Sequence, residues 1–140
     1  MVRRLIAEVI GNQQLLTLPR TASVRDAARV MRERHVGSVL IAATDRLEGI
    51  FTERDMVFRV VAEGRDPDAT ALADVMTADP DVLPPQASAL DALRRMQDGG
   101  YRHLPIVDRG RLVGIVSRRD FQGEEKARLD EESGLWEKIG

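Results

Sequence analysis

The second half of this 140-residue chain repeats the first at an offset of 65, without a gap. Gly49-Ile50-Phe51-Thr52-Glu53-Arg54-Asp55 aligns with Gly114-Ile115-Val116-Ser117-Arg118-Arg119-Asp120. Ala22-Ser23-Val24-Arg25-Asp26-Ala27 aligns with Ala87-Ser88-Ala89-Leu90-Asp91-Ala92, Met31 falls on Met96, Ile41 on Ile106 and Arg46-Leu47 on Arg111-Leu112. Residues 18–55 and 83–120 share 15 identities in 38 positions, where unrelated segments would share about two or three. A duplication of this kind calls for a fold built from two like units.

Each copy has the same grammar. An extended lead-in (15–18; Val82 and Leu83) precedes a Ser that opens a helix with apolar residues at helical spacing. These are Val24, Ala27, Ala28 and Met31 in the first copy, and Leu90, Leu93 and Met96 in the second. Two short apolar strands follow, 36–43 with 47–51 and 102–107 with 112–116, joined by turns at Asp45-Arg46 and Arg109-Gly110. A second helix is expected from Thr52 and from Ser117. The expectation is an α+β fold of two β-α-β-β-α repeats. Neither repeat is large enough to cover both faces of its own sheet, so the two should pack together about a pseudo-twofold axis. The divisions are 1–62 for the first repeat with its N-terminal lead-in, 63–80 for a turn-rich linker with a short helix over 71–76, 81–122 for the second repeat, and 123–140 for a charged helical tail. In that tail Ala127, Leu135, Trp136 and Ile139 are the docking candidates.

Composition narrows the function. Hydrophobic residues make up 43% and charged residues 31%, a globular balance. The 21 Lys and Arg against 23 Asp and Glu give a net charge of -2, and a general nucleic-acid binder needs a basic surplus. There is no cysteine for a disulfide, a thiolate metal site or a nucleophile. The apolar run 39–43 is far short of the roughly 20 residues of a membrane span. The N-terminus has basic residues but no apolar stretch of a signal peptide, so a cytoplasmic address is expected.

Four Ser/Thr-x-x-Asp patterns occur at helix starts: Ser23/Asp26, Thr52/Asp55, Ser88/Asp91 and Ser117/Asp120. All fit a capping box, in which the hydroxyl and the acid each satisfy a free N–H of the first turn. Thr52/Asp55 and Ser117/Asp120 differ in following Gly-Ile-hydrophobic, which places them where a strand passes into a helix. The Gly lets a backbone approach closely, and a helix N-terminus suits an anion. An Asp on that turn can accept two hydrogen bonds from a vicinal diol such as a ribose.

The paired Gly-h-h-Thr/Ser-x-x-Asp motif, the β-α-β-β-α repeat and the stretch Arg102-His103-Leu104-Pro105-Ile106-Val107-Asp108 resemble a tandem pair of cystathionine-β-synthase (CBS) domains, over roughly residues 8–122. The resemblance implies a disc-like module with two clefts between the repeats that take adenosine compounds: AMP, ADP or ATP, and in some members NAD or S-adenosylmethionine. No cofactor is required, and magnesium enters as the nucleotide's counter-ion. By the same resemblance Asp55 and Asp120 hold ribose hydroxyls, and Thr52 and Ser117 lie near ribose and phosphate. Val36, Gly37, Tyr101, Arg102 and His103 line the clefts where the second strand starts, and Leu16 and Val82 help enclose the adenine. Homodimerisation and regulation of a separate protein are implied as well.

The two clefts should differ. Arg102, His103, Arg118 and Arg119 surround Asp120, whereas Arg54, with His35 or Arg34, is what Asp55 has nearby. Arginine forks suit phosphate, so Asp120 marks the expected stronger site. A solvated charged face is the alternative for Arg118 and Arg119. The first copy also departs from the family pattern, with Leu40 for the usual proline, Ala43 for the usual acid, and a bare Gly37. Neither His35 nor His103 has a second ligand at metal spacing, so no metal site is expected. Tyr101 suits either stacking on adenine or ordinary packing. Three functions remain in view: a nucleotide-sensing regulatory module, an interaction module with degenerate clefts, and an enzyme. For the last the chain offers no phosphate loop, dinucleotide fingerprint or zinc motif.

Overall fold

Two helices set the frame, because their sequences carry complete start signals. Helix α2 (Val24–Arg34) is capped by Ser23, whose side chain accepts from the Asp26 N–H while Asp26 accepts from the Ser23 N–H. Helix α5 (Ala89–Gly99) is opened in the same way by Ser88 and Asp91. Both patterns are capping boxes, as their spacing predicts. His35 and Gly100 end the helices in the left-handed conformation, which cannot continue a right-handed helix.

The computed structural model describes residues 4–121. Its elements are α1 (Ile6–Ile10), β1 (Thr17–Leu18), α2, β2 (Ser38–Ala43), β3 (Arg46–Thr52), α3 (Glu53–Asp55), a π-helical segment (Met56–Val61), α4 (Leu72–Val75), β4 (Thr77–Ala78), α5, β5 (His103–Asp108), β6 (Arg111–Ser117) and a 3-10 turn (Arg118–Asp120). The α-β-β core of both repeats is present, preceded by strand β1 in the first copy and by an isolated bridge at Leu83 in the second. The second helix of the first copy begins after Thr52 as expected, but its later turns are π-helical. In the second copy the corresponding helix is a single 3-10 turn as far as Asp120. The tail expected over 123–140 lies outside the described residues.

The chain divides into two compact units. Of the described residues, one comprises Gln14–Asp81 with Arg109–Leu112; the other takes 4–13, 82–108 and 113–121. The N-terminal lead-in therefore groups with the second copy, not with the first as its sequence position suggested. Correspondingly, the segment before the second copy groups with the first. The bonds match pairwise. In the second-copy unit the Ile6 N–H donates to the Ala87 carbonyl (2.8 Å), Ala7 to Pro85 (2.9 Å) and Ala89 to Arg4 (2.8 Å). In the first-copy unit Leu72 donates to Ala22 (2.8 Å), Ala73 to Arg20 (3.0 Å) and Val24 to Thr70 (2.9 Å). Each leading segment thus binds the start of the other copy's long helix. Burial drives the docking: Ile6 is wholly buried in one core, and Leu72 wholly and Val75 almost so in the other. Each such side chain contributes about 1.5–3 kcal/mol.

The first-copy unit holds a four-stranded sheet, β1-β2-β3-β4, with β1 parallel to β2 and the other pairs antiparallel. Strand β4 was not expected from the sequence. Among the described residues the second-copy unit holds only the β5-β6 pair, and its lead-in makes a single parallel bridge, Leu83 to Ile106. Proline explains this difference. The bridge Thr17 to Leu40 uses the N–H of residue 40, and Pro105 at the same place has none to give. Leu40 instead lies in a strand buried from Ser38 to Ala42, the buried environment that its unbroken apolar run suits.

Candidate functional site

In both copies the strand passes into the next turn of helix under the same local chemistry. Thr52 and Ser117 end their strands with extended backbone, and the acid three residues later folds back to cap the turn. Asp55 Oδ2 accepts from the Thr52 N–H at 3.0 Å and lies 3.2 Å from Thr52 Oγ1. Asp120 Oδ2 accepts from the Ser117 N–H at 2.7 Å and lies 3.3 Å from Ser117 Oγ. A second bond sets the start of the preceding strand beside each turn. The Glu53 N–H donates to the Gly37 carbonyl (3.1 Å), and the Arg118 N–H donates to the Arg102 carbonyl (3.0 Å). Gly37, Thr52 and Asp55 are thereby gathered in one unit, and Arg102, Ser117, Arg118, Arg119 and Asp120 in the other.

The glycines of the motif have a concrete role. A Cβ on Gly49 would lie 2.6 Å from Met76 Sδ and 2.8 Å from the Thr77 carbonyl oxygen. On Gly114 it would lie 2.9 Å from Ile10 side-chain atoms. The expected close approach is made by the leading segments as they cross the strands.

Beyond this shared frame the two turns differ. Asp55 is buried, at 7% exposure, and its carboxylate is occupied. Thr77 Oγ1 lies 3.4 Å from both of its oxygens, and Arg59 Nε lies 3.6 Å from Oδ1. Arg54, named above as a phosphate partner for this turn, sits 5.1 Å over the ring of Phe58. Val36 packs against the first-copy core, and Leu16 is 39% exposed. Asp120, by contrast, is exposed, and its Oδ1 has no hydrogen bond among the described residues. Arg102, Arg118 and Arg119 are also exposed, while Ser117 and His103 are half-buried. The Arg4 guanidinium donates to the Asp120 carbonyl (3.1 Å), tying the lead-in to this turn. Val82 is 37% exposed. Tyr101 packs against the second-copy core, where Gly99 leaves room for its ring: a Cβ there would fall 2.0 Å from Tyr101 Cε1.

Sequence reasoning did not single out Thr77, Arg59 or Gln13. The Gln13 side chain donates to the Ile115 carbonyl (3.0 Å) and accepts from the Ile115 N–H (2.8 Å), so its amide takes the place of a strand partner. One signal was available. Ile6-Ala7-Glu8-Val9-Ile10 parallels Leu72-Ala73-Asp74-Val75-Met76 at an offset of 66, one residue out of register with the rest of the repeat. Among the described residues no group of three or more His, Cys, Asp or Glu is placed to hold a metal ion, and no helix is long and apolar enough to cross a membrane.

Comparison with known proteins agrees with this architecture. The CBS domain family model matches residues 6–62 and 72–124. CBS domain-containing protein YhcV of Bacillus subtilis is 35% identical over 108 residues, covering 77% of this chain and 76% of that protein. CBS domain-containing protein CBSCBSPB3 of Arabidopsis thaliana is 39% identical over 102 residues, 72% of this chain. The chain spans only 18% of that protein's length, and 58% of a similar uncharacterized protein of Methanopyrus kandleri. Among solved structures, a protein with CBS domains from Burkholderia ambifaria superposes with a TM-score of 0.79 at 30% identity, covering 83% of this chain and 89% of the other. A CBS domain protein of Pyrobaculum aerophilum, complexed with AMP, superposes with a TM-score of 0.81 at 25% identity, covering 93% and 99%. With two matched segments, one over each repeat, the chain belongs to the CBS domain family.

Proposed function

We propose that this chain is a regulatory module that binds an adenosine nucleotide at Asp120 and acts on a separate protein by a ligand-dependent shift between conformations. The observation that carries this reading is the exposed Asp120 carboxylate. It stands on a strand-to-helix turn with one oxygen held by Ser117 and the other without a hydrogen bond among the described residues, beside the exposed Arg102, Arg118 and Arg119. A carboxylate so placed can take the two hydroxyls of a ribose, and guanidinium groups suit its phosphates. The AMP complex of the similar Pyrobaculum protein supports the choice of ligand class. AMP, ADP and ATP come first, with NAD and S-adenosylmethionine behind them, and magnesium serves as a counter-ion. Self-association into a homodimer belongs to the same reading: Val57, Phe58 and Val61 are 52%, 58% and 68% exposed on one short segment, an apolar surface of the kind that marks interaction sites.

A thermal-shift panel of these ligands, with GTP as control, tests the reading. Ligand at a hundred times its dissociation constant adds about 2.7 kcal/mol, a shift of several degrees. The shift should vanish in Asp120→Ala. A second reading, an interaction module with no ligand, draws on the occupied Asp55 and the exposed apolar segment. It prevails if the panel is flat at millimolar ligand.

A further inference from the structure

We infer that Asp55 is not a ligand carboxylate but the centre of an internal latch, leaving a single nucleotide site per chain, at Asp120. The inference rests on the proposed function for its second half alone; the latch stands on geometry. Arg59 faces Asp55 through Nε, and its Nη1 donates to the carbonyls of Val75 (3.2 Å) and Met76 (2.9 Å). Those carbonyls end α4, where a cation is favoured. Thr77, the next residue, sets its hydroxyl against both Asp55 oxygens. One buried carboxylate therefore holds the segment 75–77 directly through Thr77 and indirectly through Arg59. No buried side-chain polar atom is left without a partner among the described residues, so Asp55 is satisfied without any ligand. A ribose would have to displace Thr77 and reach a carboxylate that is 7% exposed.

The second copy carries neither latch residue. At the offset of 65 the counterpart of Arg59 is Glu124, a reversed charge, and at the offset of 66 the counterpart of Thr77 is Gly11, with no side chain. The sequence thus puts neither of these two side chains at the matching places of the second copy.

Two measurements on the full chain decide the matter. In equilibrium binding with AMP as the probe, the wild type should titrate to a single site per chain. Asp120→Asn should lose more than about tenfold in affinity, with no second class of site remaining. Two sites in the wild type, or half the capacity surviving in Asp120→Asn, overturns the inference. The second measurement uses no nucleotide: melting temperatures of Asp55→Asn, Thr77→Val and the double variant. A latch makes the shifts non-additive, the double variant falling little below Asp55→Asn. Additive shifts overturn the latch. If the wild type binds no AMP at millimolar concentration, the proposed function fails, and the melting cycle still decides whether Asp55 is a latch.

Discussion

The outer edges of β3 and β6 are the same place in the two copies, and they are closed in different ways. Against β3 lies a backbone strand: β4 pairs Thr77 with Ile50 and Ala78 with Gly49. Against β6, among the described residues, lie the side-chain amide of Gln13, bonded to both the N–H and the carbonyl of Ile115, and, nearer the turn, the Asp45 carbonyl, which accepts from the Leu112 N–H (2.7 Å). The hydrogen-bonding need is similar, since an exposed strand edge carries unpaired groups that must be covered. The consequences differ. A strand that pairs brings its own side chains with it, and the first of these, Thr77, reaches Asp55. An amide at the end of a flexible side chain brings nothing further, and a Cβ built on Gly11 would meet no atom within 4 Å. The way an edge is closed thus decides which side chains reach the neighbouring carboxylate.

The largest expected effect comes from putting a methyl group under each crossing. In Gly49→Ala the new Cβ would meet Met76 Sδ and, worse, the Thr77 carbonyl oxygen of the paired backbone. A backbone atom cannot swing away, so a loss of about 3 kcal/mol is expected, at the upper end for overpacking. In Gly114→Ala the clash is with the Ile10 side chain alone, which can shift, and about 1–2 kcal/mol is expected. Urea denaturation of both variants measures the pair. Equal losses would show that the two crossings are equally rigid and would break the comparison.

These crossings also show what the sequence could and could not tell. The capping boxes, the long helices and the strand pairs are local, written in spacings of two to four residues, and they stand where the spacing put them. The Gly-Ile-hydrophobic context marked a close backbone approach, which Thr77 makes at Gly49, whereas at Gly114 the close neighbour is the Ile10 side chain. The exchange of leading segments was hidden because α1 and α4 match at an offset of 66, outside the ungapped register of the repeat. Gln13 and Ile115 are 102 residues apart, and Thr77 and Asp55 are 22 apart; no periodicity relates a side chain to a backbone group or a hydroxyl to a carboxylate over such distances. The different standing of the two motif aspartates follows from those long-range contacts, so an identical motif could not reveal it.

A middle-sized effect is expected at Gln13. Gln13→Leu keeps the bulk and removes both bonds to Ile115, each worth about 0.5–1.5 kcal/mol net. Gln13 is exposed, so the lower part of that range applies and a total near 1.5 kcal/mol is expected. Amide hydrogen exchange gives the sharper readout. The Ile115 N–H should lose protection, while Ile50, its counterpart beside β4, should not change. Loss of protection at both residues would mean that the two edges open together, and that their separate closures do not act separately.

The smallest effect concerns what the two copies share. Ser23 and Ser88 cap α2 and α5 with the same reciprocal pair of bonds, each hydroxyl accepting at 3.1 Å from the acid's N–H. Ser23→Ala and Ser88→Ala should therefore each cost about 1 kcal/mol, the ordinary worth of such a cap, and the two values should agree within a few tenths. Agreement would place the divergence of the copies in the segments that cross them, leaving the helices as common scaffold. A clearly larger loss for Ser23→Ala would have a specific origin. The start of α2 also receives the linker, through the Val24 N–H to the Thr70 carbonyl, the Arg25 N–H to the Pro67 carbonyl and the ion pair of Arg25 with Asp68, which raises the Arg25 pKa. Fraying α2 would then loosen the same segment that carries Thr77 to Asp55, and the cap and the latch would be one cooperative structure.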